Sequence, residues 1–450
     1  MIRDQQENNK NMSNEIKPTC VLVGPVATRS GYGDHARQIA DALIKWGKFD
    51  VKIISTRWGA CPMTDLNNDS PLATEIKKRL HVGPLQGQPD LFIQVSIPNE
   101  FQAAGKFNVG VTAGIETTVP RGDWVEGLNR MNLNIVPSNF TKEVFVKASF
   151  TKSHPNGQKE NIQMQRPMEV AFEGVDMNVY KKTDEPSADM DASIASIPET
   201  FAFLMVGHWL QGDLGADRKD VGKLVQVFSE VFKNKKNKPA LILKTSGATF
   251  SQMDKHEILK KINTIRATIA GDLPNIYVIH GDVTQVELNR LYNHPKVKAH
   301  VSFTHGEGFG RPLLEATLSG KPVLASEWSG HLDFLPADTA ILLPGVVAPI
   351  PASAVNEWLV KEASWFTVNY SVAAQKMEEV FENYLKFIPN AEKLRKQNTE
   401  KFTLDGGNKV FIDILEKNLP VFEKKVAIVL PKFKKITPKV VDAVVEEVKV

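Results

Sequence analysis

Two carboxylates, Glu307 and Glu315, stand within the string His305–Leu318, HGEGFGRPLLEATL, together with Gly306, Gly308, Phe309, Gly310 and Arg311. Ionised carboxylates only accept hydrogen bonds, so two of them facing one crevice suit a ligand rich in hydroxyl donors. The glycines add a second capability. An apolar run, Ala299–Phe303, precedes them, and Pro312 stands where the first turn of a helix tolerates proline, so the string reads as strand, loop and helix. A junction of that kind turns backbone N–H groups and the positive end of a helix toward whatever binds above the sheet, which suits phosphate. The helix is expected to end at Gly320, with Glu315 in its first turn, and Pro322–Ser326 reads as the next strand.

The elements needed to hold these groups recur along the chain. Short β-branched runs alternate with amphipathic stretches, the pattern of parallel α/β sheets. The alternation occurs twice. The first series predicts strands at Thr19–Pro25, Val51–Ser55, Leu91–Ile97, Asn108–Thr112 and Leu133–Val136, a helix from Asp34 to Gly47, and a helix N-capped by Ser138. The second predicts strands at Phe201–Gly207, Ala240–Thr245 and Ile276–Ile279, a helix from about Lys219 to Phe232, and a capping box at Thr284–Glu287. After Pro344 the pattern reads as mainly helical, from Ser353 to about Asn418. Between the two series, the Ser-, Asp- and Pro-containing stretch Lys181–Pro198 reads as a hinge. Asp189-Met-Asp191 inside it has the spacing of a metal-binding pair but no flanking strand, and reads as solvated linker. The boundaries implied are a leader at 1–17, a Rossmann-like domain at 18–182, a linker at 183–199, a second Rossmann-like domain at 200–385, helices at 386–420 that cross back, and a basic tail at 421–450.

The formal charge is +3, and seven Lys against four acids between Val421 and Val450 account for all of it. A balanced body argues against a domain whose main affinity comes from neutralising a polyanion. With 42% hydrophobic and 24% charged residues the composition is that of a soluble globular protein, and no apolar run approaches the ~18 residues that span a bilayer. The polar N-terminus, MIRDQQENNKNMSNE, reads as a disordered leader. Two cysteines, Cys20 and Cys61, fit a reducing compartment, so a cytoplasmic location is expected, and no Cys/His spacing suggests zinc.

The complete glycine-rich string resembles the E-x7-E signature of retaining glycosyltransferases of the GT-B fold, two Rossmann-like domains facing each other across a cleft, and family 4 in particular. The resemblance covers roughly Val21 to Leu335. Thr28–His35 (TRSGYGDH), Pro137–Phe145 (PSNFTKEVF), Glu173–Tyr180 (EGVDMNVY), Gly207–Phe228 and Gly281-Asp-Val283 match family segments in the expected order. It implies that Glu307 contacts donor-sugar hydroxyls, that Glu315 binds the ribose, and that amides around Gly308, Phe309, Gly310 and Arg311 meet sugar or phosphate. Lys219 matches the diphosphate-binding lysine, with Arg218 and Lys244 as further cations, and Gly31 and Gly33 would let the first-domain backbone approach the diphosphate. Some positions depart from the pattern. His208 stands where the family usually has Arg and is followed by an insertion, WLQGDLGAD; Arg311 replaces an apolar residue; the acceptor-side histidine has no clear equivalent, which leaves Glu116 and His35 as the acceptor-side candidates.

The implied reaction is transfer from a nucleotide-sugar (UDP-, GDP- or ADP-sugar) to an acceptor hydroxyl with retention, with no metal and no further cofactor. The strings GEGFGRPLLEA and WSGHLDFL also resemble phage-encoded members, which implies a hydroxymethylated DNA base as an alternative to a glycan or small-molecule acceptor and the host cytoplasm as location. A GT-B scaffold that binds nucleotide or glycan without turnover is the alternative from another class.

Overall fold

Apolar strands and amphipathic helices alternate into two six-stranded sheets in the computed structural model, which describes residues 15–185, 188–210, 212–247, 249–423 and 425–426. The first sheet contains β1 (Thr19–Gly24), β2 (Asp50–Ser55), β3 (Leu91–Val95), β4 (Phe107–Val111), β5 (Leu133–Val136) and β6 (Met168–Val170), in the order β2-β1-β3-β4-β5-β6. The second contains β7 (Ala202–Val206), β8 (Ala240–Lys244), β9 (Ile276–Ile279), β10 (Val297–Ser302), β11 (Val323–Ser326) and β12 (Ile341–Leu343), in the order β9-β8-β7-β10-β11-β12. Neighbouring strands in both sheets run parallel. Helices cover both faces of such sheets, so central strands need apolar residues on both sides, and β3 is buried at every position.

The first sheet carries α1 (Gly31–Trp46), α2 (Pro71–Arg79), α3 (Gly122–Asn129) and α4 (Asn139–Lys147). After the connecting helix α5 (Ala188–Ala195), the second carries α6 (Val221–Phe232), α7 (Gln252–Ala267), α8 (Gln285–Asn293) and α9 (Arg311–Thr317). The chain closes with α10 (Tyr370–Glu382), α11 (Tyr384–Lys401) and α12 (Leu404–Asn418). Phe411 and Leu415 of α12 join the core of the first sheet, and Asn408 Nδ2 donates to Asp41 Oδ2 of α1 at 2.7 Å.

Strand order places the crevice. In the second sheet the order reverses between β7 and β10, and the loops leaving these adjacent strands carry Lys219 and Glu307 respectively. A ligand site belongs at the C-terminal edge of such a switch point.

Three expectations are corrected. Ser353 to Val368 is not helical: Gly345–Pro349 and Ser364–Val368 pair as an antiparallel hairpin. Trp365, Phe366 and Val368 are buried in strand geometry, and pairing with Gly345–Pro349 satisfies their backbone in place of a helix. The segment 183–199 is not solvated throughout, because Met190, Ile194 and Ile197 pack into the second-sheet core; the side chains of Asp189 and Asp191 lie outside the described residues. The leader and tail meet where they are described: Glu15–Ile16 pairs antiparallel with Lys425–Val426, and the Phe422 ring stands edge-on to Phe49 at 5.7 Å. The rest of the expected leader (1–14) and of the basic tail (427–450) lies outside the described residues. Among the described residues no helix is long and apolar enough to cross a membrane.

Candidate active site

The loop after β10 enters α9 through Gly310, whose φ of +95° is a left-handed conformation that side chains rarely adopt. Among the described residues the N–H groups of Phe309, Gly310 and Arg311 make no hydrogen bond, so this helix start keeps its donors. The Phe309 side chain packs away from them, against Phe334 at 5.1 Å and Phe402 at 6.3 Å. Helix α9 begins at Arg311, which places Glu315 in the second turn rather than the expected first. Its role there is not to cap the helix. The Glu315 carboxylate accepts from Arg311 Nη2 at 3.3 Å and Tyr292 Oη at 3.4 Å in a buried setting. Burial pushes its pKa up to about 7 although Arg311 opposes the shift. The Arg311 Nε is buried with no partner among the described residues.

Glu307 faces the loop that leaves β7. Its carboxylate accepts a hydrogen bond from Lys219 Nζ, while its backbone N–H donates to Ser329 Oγ at 2.9 Å. Burial disfavours both charges, but the pairing holds the Glu307 carboxyl below its ordinary value, with Lys219 and Arg218 as the cations responsible. Lys219 is lowered overall, by burial first and by Arg218 beside it, against the pull of Glu307. The Arg218 carbonyl accepts from His305 N at 3.1 Å, which ties the two loops together.

The helix that follows these cations has its first two amides taken by a side chain. Asp217 Oδ1 accepts from Val221 N at 3.0 Å and Asp217 Oδ2 from Gly222 N at 3.3 Å. At this junction the Val221 and Gly222 amides are spent on Asp217, and Arg218 and Lys219 are the cations beside them. His208 stays close by, its Nδ1 3.1 Å from Ser246 Oγ, with its pKa lowered by burial and then by Arg218 and Lys219. Lys244 turns to the neighbouring loop, donating to Gly281 O at 2.7 Å, and burial lowers its pKa as well.

The wall opposite comes from the first sheet. Glu116, on the loop after β4, pairs with Arg218. Gly306 and Gly308 lie against that loop: a Cβ on Gly308 would stand 2.4 Å from Ala113 O, and one on Gly306 2.7 Å from Glu116 O. Ser138 Oγ donates to Gly308 O at 2.5 Å, and Asn139 N to Asp333 Oδ2 at 3.0 Å. At the other end, Arg29 reaches Asp282 at 3.0 Å and Asp34 meets Arg311 at 3.2 Å.

In the first-domain loop Gly33 has a structural task of its own. Ser30 Oγ caps α1 by accepting from Gly33 N at 3.0 Å, and a Cβ on Gly33 would stand 2.2 Å from Thr28 O. Gly33 thus permits the loop to fold onto itself. Gly31 is exposed, with nothing within 4 Å of a Cβ. His35 is 3% exposed with Nδ1 3.7 Å from Glu173 Oε1. Burial, assisted by the Arg311 charge, lowers the His35 pKa to about 4, and burial raises Glu173 to about 7. His35 and Glu173 therefore form a buried pair behind Asp34 and Arg311.

The structure brings Glu307, Lys219, Arg218 and Glu116 into one chain of contacts, and Arg311, Glu315 and Asp34 into a second, with Glu173 beside His35 within reach of the Arg311 charge. Asp34, Glu173, Tyr292 and Ser329 were missing from the residues singled out by sequence. Asp34, Glu173 and Ser329 sit inside the quoted strings TRSGYGDH, EGVDMNVY and WSGHLDFL, which is the signal that could have found them. Among the described residues no group of three or more His, Cys, Asp and Glu side chains is placed to hold a metal ion.

Two doubly wound parallel sheets facing each other across this cleft make the GT-B fold. Solved structures share it. A glycosyltransferase from Rickettsia africae ESF-5 superposes with a TM-score of 0.58 at 15% identity, over 90% of this chain and 99% of that one. The Anabaena protein Alr3699/HepE in complex with UDP-glucose gives 0.57 at 13% identity over 89% and 100%. Sucrose-phosphate synthase from Thermosynechococcus elongatus gives 0.57 at 13% identity over 89% and 99%. No family model matches the sequence, and no curated protein matches it. At these identities the likeness is one of fold.

Proposed function

We propose that the protein is a retaining glycosyltransferase, of the family 4 type, that moves a sugar from a nucleotide-sugar to an acceptor hydroxyl without a metal ion. The observation that carries this reading is the meeting of Lys219 and Glu307 at the switch point of the second sheet, beside the unbonded N–H groups that open α9. Lys219 and Arg218 would exchange their carboxylate partners for the diphosphate, and the amides of Phe309, Gly310 and Arg311 would take the remaining oxygens. Glu307, released from Lys219, then accepts from donor-sugar hydroxyls. Glu315 accepts from the ribose, and hydrogen bonds to its charged form favour ionisation against the burial that raises its pKa.

In the transfer step the bond from the anomeric carbon to the diphosphate oxygen breaks as the bond to the acceptor oxygen forms on the same face. The acceptor proton passes to the departing phosphate oxygen. Positive character at the anomeric carbon develops as in glycoside hydrolysis, and no covalent nucleophile is assigned. The second domain is the donor side and the first the acceptor side, where Glu116 is the polar group nearest the cations. The HepE structure in complex with UDP-glucose makes a UDP-sugar the first donor to try.

The test is release of nucleoside diphosphate from UDP-, GDP- and ADP-sugars, alone and with glycan, small-molecule or hydroxymethylated-DNA acceptors, followed by NMR of the product's anomeric configuration. A retained configuration supports the proposal. Inversion, or no release from any of the three, refutes it.

A further inference from the structure

The cations at 218 and 219 are held by a buried side chain that touches neither. Asp220 follows them at φ +51°, left-handed and fully buried. It occupies the N-cap position of α6 without a side-chain cap hydrogen bond, and Asp217 takes the Val221 and Gly222 amides. A glycine would adopt that conformation without steric cost, so backbone shape alone does not require a carboxylate there. What the carboxylate reaches is Tyr370: Tyr370 Oη donates to Asp220 Oδ2 at 2.6 Å.

Tyr370 is well placed to act as an anchor. It is the first residue of α10, directly after the hairpin strand Ser364–Val368, and its helix start is capped by Asn369, whose side chain accepts from Ser371 N and Val372 N. The same hairpin strand supports the opposite loop. His305 stacks on Trp365 at 4.0 Å between centroids and 7° between planes, and its Nδ1 lies 2.7 Å from Phe366 O. His305 N in turn donates to Arg218 O at 3.1 Å. The Arg218-Lys219 peptide is thus held by one unit at two points, through His305 N at its own carbonyl and through Asp220, the residue that follows it.

We propose that Asp220, by its hydrogen bond to Tyr370, is the positioning residue that sets Arg218 and Lys219 toward a diphosphate. This rests on the reading of those two cations as the diphosphate site. It extends that reading to residues outside the cleft, and makes the hairpin-to-α10 unit part of donor recognition. A misplacement of about an ångström at such a site costs on the order of a hundredfold.

The experiment measures binding of UDP, GDP and ADP and of the matching monophosphates to wild type, Asp220→Gly, Asp220→Asn and Tyr370→Phe, with thermal unfolding as the check on folding. Asp220→Gly and Tyr370→Phe are expected to lower diphosphate affinity by about tenfold to a hundredfold while monophosphate affinity changes less, so the preference for diphosphate shrinks. Asp220→Asn, which tolerates the left-handed conformation and still accepts from Tyr370, is expected to recover most of that preference. A purely structural role would lower stability without moving the ratio. If Asp220→Gly does not fold, Tyr370→Phe decides. An unchanged ratio in the folded variants overturns this inference alone; a wild type that binds none of the three diphosphates overturns the functional reading beneath it.

Discussion

Two glycine-rich junctions of similar appearance are closed to different degrees. At the start of α1, Ser30 consumes the Gly33 amide and Gly33 allows the loop to close on Thr28. At the start of α9, Gly310 takes the left-handed turn, no capping side chain is present, and the amides of Phe309, Gly310 and Arg311 are unbonded among the described residues. A helix start binds an anion only if its own side chains have not already satisfied it. The first junction spends the Gly33 amide on its Ser30 cap, leaves the Gly31 and Tyr32 amides unbonded among the described residues, and offers side chains, Arg29 and Asp34, to the opposite wall. The second offers donors.

The contrast can be broken most severely at Lys219. Lys219→Ala removes the cation beside the open junction and is expected to lower transfer about 10²- to 10³-fold, measured as kcat at saturating donor. Gly310→Ala follows. It forces a side chain into a left-handed position, at ~1–2 kcal/mol, with its Cβ 3.2 Å from His331 Cβ, so donor affinity should fall about tenfold by titration calorimetry. Gly33→Ala sharpens the comparison from the other side. Its Cβ meets a backbone oxygen that cannot swing away, so stability should drop by about 1–3 kcal/mol in denaturant unfolding, with donor affinity of the folded protein unchanged. A loss of affinity without loss of stability there would erase the distinction.

A pH series reports on the open side. Burial raises Glu315 and Glu173 to about 7 from an ordinary 4.5, so the native state keeps protons that the unfolded chain releases. The stability they contribute is present below 4.5 and lost as pH rises through about 7. His35, lowered to about 4 from 6.5, acts in the opposite sense, its contribution present above 6.5 and lost as pH falls through about 4. Glu315→Gln should flatten the fall of Tm on the rising side while leaving the His35 slope in place. The smallest effect is expected at Gly31→Ala, which meets open space and should shift stability by at most ~1 kcal/mol, in the stabilising direction.

Much of the fold was legible because local signals agreed. Ser138 caps α4 and Thr284 with Glu287 forms the capping box of α8, both as the sequence implies. Ten of the twelve sheet strands follow the expected apolar runs to within two residues; β6 and β12, three-residue strands at the sheet edges, carry too short a pattern to be read. What was hidden depends on contacts between distant segments. Nothing near Gly308 announces that Ala113 O will lie against it, and nothing near Arg218 announces Glu116, because both follow from how two sheets meet. The capping of α6 was hidden for a local reason: Asp217 reaches past two cations only because Asp220 turns left-handed, a shape that the string DRKD does not advertise. The hairpin at 345–368 was masked by Ala, Val and Glu residues that also suit a helix.

The most direct measurement is calorimetric titration of UDP, GDP and ADP into wild type, Gly310→Ala and Gly33→Ala. One diphosphate should bind wild type and folded Gly33→Ala alike and bind Gly310→Ala about tenfold more weakly. Equal affinity for wild type and Gly310→Ala, with the loss appearing in Gly33→Ala instead, would place the anion at the first junction and contradict the assignment.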